Sequence, residues 1–224
     1  MVKAAQGGES VRSRLLHAAA QLFLEKGYAE STIREIAALA GVNRGSLGFA
    51  FPNKESILCE LVSYVFDGQM VAVRYLLEGK TNDRLLIYAT ERTLQLYMAE
   101  SSEHMREMYT VSYSLPNSAQ IIYHKITGRL EQIFADYLPT LETKDFYERE
   151  IAAAGIMRSF VSVPCDIYFT MERKVRAFLE TTLLIYEVPK ERIREVIDFV
   201  SQFDFRTVAT EVLSRMLAYL EERT

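Results

Sequence analysis

Thr32, Asn43, Arg44, Ser46, Phe49 and Lys54 fall within residues 31–58, STIREIAALAGVNRGSLGFAFPNKESIL, and are of the types that contact nucleic acid. Such contact needs groups that grip phosphates and groups that read base edges. Arg44 can pair bidentately with guanine. Asn43 can pair with adenine, or simply cap the helix that follows it; the two roles weigh equally. Ser46 lies beside them at the start of the same segment. Lys54 and Thr32 each stand at a helix start, where side chain and backbone N–H groups together can meet a phosphate. Phe49 can touch a thymine methyl or pack on backbone sugars. Arg12, Arg14 and Lys3 could reach a flanking groove, although solvated charge is the simpler reading.

These residues need a rigid frame. Thr32 and Glu35 have the spacing of a capping box, and Ile33, Ile36, Ala37 and Ala40 supply a buried face. Gly41 permits a turn, Asn43 caps a second short helix to about Phe51, and Pro52-Asn53 breaks it. Two short helices around a tight turn form a helix-turn-helix, whose second helix lies in the DNA major groove. A preceding helix is expected over about 11–26, with Leu15, Leu16, Ala19, Leu22 and Phe23 on one face. Gly27 ends it. Residues 1–10, small and polar, are expected to be a flexible tail.

The rest of the chain reads as helical. Segments are expected at 54–78, from 82 to about 101 or beyond, and at 118–137, 144–163, 166–187, 190–202 and 205–222. Breaks fall at Pro116, Pro139, Pro164, Pro189 and Phe203-Asp204-Phe205. No stretch shows sustained period-two alternation. The expected architecture is all-α: a three-helix DNA-binding domain at 11–53, then a larger helical domain at 54–224.

The middle of that second domain is rich in large adaptable side chains: Tyr97, Met98, Met105, Met108, Tyr109, Tyr113 and Tyr123. Each alone is better read as core; together they suit an apolar pocket with a few polar tips. Glu100, His104 and Glu107 could converge, but no metal-binding motif supports them and no metal or cofactor is expected. With three histidines and no phosphate loop or nucleophile elbow, catalysis has little to stand on.

The net charge is −4, which argues against binding nucleic acid over the whole surface. Residues 1–60 carry seven cations against six carboxylates, so the sign favours an N-terminal site. Cys59 and Cys165 suggest no disulfide framework. The N-terminus lacks a signal-peptide pattern, and the apolar run 151–171 is interrupted by Arg158, Pro164 and Asp166. A soluble cytoplasmic protein is expected.

Taken in order, Arg14-Leu-Leu, Ala18-Ala19, Leu22-Phe23, Gly27-Tyr28, Ser31-Thr32-Ile33, Ile36-Ala37, Ala40-Gly41-Val42, Gly45-Ser46-Leu47, Phe51 and Lys54-Glu55 resemble the TetR family of bacterial transcriptional regulators. The resemblance covers about residues 11–60. It implies a homodimer with two DNA-binding heads on a palindromic operator. It also implies a small-molecule pocket in the C-terminal domain, a dimer interface from the last helices, and repression relieved by ligand. One departure stands out. Where relatives carry a tyrosine and often a histidine, this chain has Gly48 and Ala50, so a common phosphate contact is missing. The rival reading is a helical small-molecule or lipid carrier whose DNA-binding head is weakened; a helical enzyme is a more distant one.

Overall fold

The computed structural model describes the backbone of residues 3–222 and the side chains of residues 11–218. Among them the chain forms eleven α-helices and no strand. The first four are α1 (Lys3–Lys26), α2 (Ile33–Leu39), α3 (Arg44–Ala50) and α4 (Lys54–Leu77). Then follow α5 (Arg84–Glu100), α6 (Glu103–Ser112), α7 (Pro116–Phe134) and α8 (Thr143–Ser162). The last are α9 (Met171–Ile185), α10 (Lys190–Val200) and α11 (Phe205–Glu222).

Three boundaries differ from the sequence expectation. The helix expected from 166 starts only at Met171, after Thr170 caps it through the Arg173 amide at 3.4 Å. Residues 3–10, expected as a flexible tail, continue the backbone of α1. Extending an existing helix is far easier than nucleating one, and no proline interrupts the stretch. The segment beyond residue 82 divides at Ser101-Ser102. The Ser102 hydroxyl accepts from the Met105 amide at 3.1 Å and starts α6 as a separate helix. Elsewhere the ends follow local chemistry. Asp83 caps α5 through the Leu85 amide at 2.8 Å, and Pro116 stands at the first turn of α7, where its missing N–H is not needed.

Two hydrophobic cores result. Leu15, Ala19, Phe23, Ile36, Leu47 and Phe51 form the core of the N-terminal head. The larger core joins α4 to the remaining helices. Helix α4 belongs to both: Ile57 and Leu61 sit in the first, and Leu58, Val62, Phe66 and Val73 in the second. The expected division at 53/54 therefore falls at the start of a helix that both cores share. By length and composition α4 could cross a membrane, with mean hydropathy 1.3 over its best window. Its buried residues here fill the two cores. Helix α11 lies against α1, α4 and α5, so the end of the chain returns to the head.

Candidate functional site: nucleic-acid interface and neighbouring cavity

The helix-turn-helix is held by local bonds of the expected kind. The Thr32 hydroxyl accepts from the Glu35 amide at 3.2 Å, and the Glu35 carboxylate accepts from the Thr32 amide at 2.9 Å. Gly41 takes φ +62°, which an L side chain rarely adopts. The Asn43 side-chain oxygen accepts from the Ser46 amide at 2.9 Å, which leaves its NH2 group as the part still able to reach a base. Leu47 and Phe51 are buried. Arg44, Gly45, Gly48 and Phe49 occupy the outward face of α3, with Phe49 95% exposed. No atom lies within 4 Å of where a Gly48 Cβ would stand, so the missing side chain leaves open space on that face.

Four cations of the head are consumed inside it. Arg12 donates to the Ala50 carbonyl at 2.8 Å, pairs with Glu60 and sits 4.3 Å over the Phe51 ring. Arg14 donates to the Ala40 carbonyl at 3.2 Å. The two arginines of α1 thus hold carbonyls at the C-terminal ends of α3 and α2, where helix dipoles favour positive charge. Neither acts as a loose arm, and the Lys3 side chain lies outside the described residues. Lys26 pairs with Glu35 at 2.5 Å. That partner, then Thr32, holds the Glu35 carboxyl down at about 2.

Lys54 departs most from the sequence expectation. Its ammonium donates to the carbonyls of Tyr28 at 2.7 Å and Ser31 at 2.9 Å, with Ala29 at 3.4 Å, and lies 4.2 Å over the Tyr28 ring. Burial lowers its pKa from the usual ammonium value. The charge expected to meet a phosphate is folded into the turn between α1 and α2. The Thr32 hydroxyl is likewise engaged, donating to Glu35 at 2.6 Å.

Among the described residues of the head, Arg34 and Arg44 are the cations left exposed without a hydrogen-bond or ion-pair partner. They stand in the first turns of α2 and α3. Arg34 was not singled out by spacing or motif. The signal available in the sequence was its place on α2 opposite Ile33, Ile36, Ala37 and Ala40.

Behind the head is a cavity of about 80 Å³. It is walled by α1 (Leu24), α4 (Val62, Phe66), α6 (Met105, Tyr109) and α11 (Met216), among others. Of the residues expected to line a pocket, Met105, Met108, Tyr109 and Tyr113 do so. Tyr97 instead stacks on Phe205 at 5.5 Å, Met98 is core behind Tyr109, and Tyr123 meets Tyr147 at 6.2 Å. Composition alone could not tell which face of α5 or α7 turns inward. The wall residues from α1, α4 and α11 were not foreseen, because their apolar stripes read equally well as ordinary core.

The polar tips at the cavity point away from it. Gln69 donates to the Tyr109 hydroxyl, and the Tyr113 hydroxyl donates to Gln95 at 3.1 Å. Gln95 donates to Gln69 at 3.3 Å, and Arg92 joins Gln95 to Glu150 at 3.4 and 3.3 Å. Burial raises both tyrosine pKa values, so these hydroxyls stay protonated.

Helix α6 connects cavity and head. Met105, Met108 and Tyr109 face the cavity. Glu107, on another face, accepts from the amides of Tyr28 at 3.0 Å and Ala29 at 2.7 Å. His104 Nδ1 donates to the Leu24 carbonyl at 2.8 Å. Gly27 has φ +89°, and a Cβ there would strike the Glu107 carboxylate. Glu100, the third residue of the possible convergence, turns elsewhere and pairs with Lys174 at 2.6 Å. The three side chains therefore serve separate contacts.

Residues 15–61 match the model for bacterial regulatory proteins of the tetR family. The chain is 28% identical over 134 residues to an uncharacterized HTH-type transcriptional regulator of Bacillus subtilis, YvkB, covering 58% of this chain and 67% of that protein. It is 35% identical over 97 residues to the HTH-type transcriptional repressor KstR2 of Mycobacterium tuberculosis, covering 42% of this chain and 46% of that one. The second match thus spans about half of that relative's length. A crystal structure of RolR in complex with resorcinol superposes with TM-score 0.67 at 19% identity, covering 86% of this chain and 95% of that one. SmeT, the repressor of the Stenotrophomonas maltophilia multidrug efflux pump SmeDEF, superposes with TM-score 0.53 at 20% identity, covering 77% and 88%. At such identities the likeness is one of fold.

Proposed function

We propose that this chain, a member of the TetR family of bacterial transcriptional regulators, is a cytoplasmic, ligand-responsive repressor that binds a palindromic operator as a homodimer. The observation that carries the reading is the outward face of α3. It offers a free guanidinium at Arg44 and the exposed ring of Phe49 on a helix locked by Asn43, Leu47 and Phe51. Arg44 would read a base edge, Phe49 would meet a thymine methyl or sugars, and Arg34 would join Ser46 in positioning the backbone, since both donors of Thr32 are held by Glu35. Two-fold symmetry would set two such helices ~34–36 Å apart in successive major grooves. Exposed Ile151 and Val163 at α8 and Leu184 on α9 favour those helices as the subunit contact.

Release would run through α6 and α4. A molecule entering the cavity pushes on Met105, Met108 and Tyr109, and the same helix grips the α1–α2 turn through Glu107 and His104. Ligand can shift the head only by as much as its affinity differs between the two arrangements. RolR was solved with resorcinol; the likeness in fold supports a ligand-responsive cavity here and does not name its occupant.

Fluorescence anisotropy with DNA from upstream of the chain's own gene tests the reading. Specific binding is expected, weakened by a molecule that occupies the cavity. In Glu107→Gln, DNA binding should persist while the response to that molecule shrinks. Absence of any sequence-preferring DNA binding by the folded protein would leave the carrier reading in its place.

A further inference from the structure

We propose that the cavity is the inner end of a longer channel running out between α4 and α11, gated by Met216, and that its ligand is a neutral, elongated, hydrocarbon-rich molecule. This rests on the reading of the cavity as the effector site and names the class of effector.

The cavity is too small to be the whole site. At about 80 Å³ it has roughly half the volume of a 150 Å³ apolar cavity that takes up benzene. Any organic effector must therefore displace part of the wall. Phe66 is 5% exposed in the core, and Tyr109 is tied to Gln69. Met216 is different. It is half-buried, unbranched and mobile about three side-chain torsions. It also lines a second space, a groove of about 830 Å³ between α4 and α11. Met216 rests on the bare backbone of Gly68, its Cγ and Sδ 3.5 Å from where a Cβ would stand. Turning this one side chain joins cavity and groove.

The groove explains apolar surface that the fold leaves exposed. Val71 and Tyr75, 66% and 74% exposed, lie along it with Ala72 and Val212. Its charged residues are balanced and engaged. Asp67 pairs with Lys125 at 2.8 Å and Glu211 with Arg215 at 3.7 Å, and the Lys80 ammonium donates to the Leu76 carbonyl at 2.6 Å. Nothing there awaits a charged head group. At the inner end the tyrosine hydroxyls point away, so the channel receives hydrocarbon along its length.

Displacement of N-phenyl-1-naphthylamine from the full-length protein, without DNA, by 1-hexanol, 1-octanol, 1-decanol and 1-dodecanol tests this. Affinity should rise by roughly fourfold per added methylene along the series. Decanoate and decyltrimethylammonium should bind more weakly than decanol. Gly68→Leu, which blocks the passage under Met216, should weaken dodecanol at least tenfold while leaving the melting temperature no lower. Val71→Gln, a surface change in the outer groove, should weaken dodecanol several-fold. A flat length series, tighter binding of either ion, or wild-type affinities in both folded variants would overturn the proposal. So would sedimentation showing that Tyr75→Asp converts a dimer to monomers, since a second copy would then fill the groove. Because no DNA is present, failure of the repressor reading leaves these results intact, and failure here leaves operator binding untouched.

Discussion

Lys54→Met separates two explanations of a lysine at the start of α4. If its ammonium met a phosphate, its removal would lower the slope of log affinity against log salt by about 0.9 per head and leave stability nearly unchanged. The structure assigns the charge elsewhere. Two good bonds, to Tyr28 and Ser31 carbonyls at 2.7 and 2.9 Å, and a contact over the Tyr28 ring are lost together. A hydrogen bond from a charged group contributes about 1.5–3 kcal/mol and a cation–π contact about 0.5–1. These values are not additive, and the site is partly wet, so a net loss of about 2–3 kcal/mol is expected. For a chain of this size that is a fall of about 4–12 °C in melting temperature. The assay is a pair: thermal unfolding, and DNA anisotropy from low to moderate salt below the melting transition. The expected outcome is a lower melting temperature with an unchanged salt slope. A slope reduced by about 0.9 per head at unchanged stability would refute the assignment.

Arg34→Ala should lower the salt slope by about 0.9 per head with little loss of sequence preference, whereas Arg44→Ala should weaken operator binding by about 1–3 kcal/mol and relax preference at one base pair; competition binding against single-base operator variants distinguishes them. Gly48→Tyr, entering open space, should tighten operator binding by about 0.5–1.5 kcal/mol per head through a phosphate contact. No gain in a folded variant would mean that another group already makes that contact. Glu100 is buried enough to raise its pKa, yet Lys174, the Cys165 amide and Arg106 bring it down to about 2. Its stabilising contribution is therefore present above about 4.5, its ordinary value, and is lost as pH falls toward about 2. Urea unfolding across that window should show a flatter acid limb in Glu100→Gln, together with lower stability at neutral pH.

What could be read from the sequence was local. The Thr32–Glu35 box, the Asn43 cap and the turn at Gly41 depend on residues a few positions apart, so spacing reveals them. The helical periods that define the all-α fold are local in the same sense. Roles set by distant partners were hidden. Lys54 reaches carbonyls 23–26 residues away, and Arg12 reaches a carboxylate 48 away. Nothing in their neighbourhoods distinguishes a clamp inside the head from a charge facing DNA. Arg34 carries no local motif for the converse reason: it stands out only by what it does not touch. For the cavity, the cluster of Met and Tyr in the sequence includes Met105, Met108 and Tyr109, which α6 places along its wall. The stacking of Tyr97 on Phe205 and the burial of Met98 behind Tyr109 depend on helix rotation, which composition does not fix.

The internal use of Arg12, Arg14, Lys26 and Lys54 has a consequence for how such a protein finds its target. Attraction to DNA of any sequence comes from charge alone. A head with two unengaged arginines among its described residues, on a chain of net charge −4, would adhere weakly to the bulk of the chromosome. Few copies would then be sequestered on irrelevant DNA, and the free fraction would stay high. On the proposed reading, occupancy of the true site would depend on base-edge contacts at Arg44 and its neighbours, and a small number of molecules would suffice to keep a promoter silent.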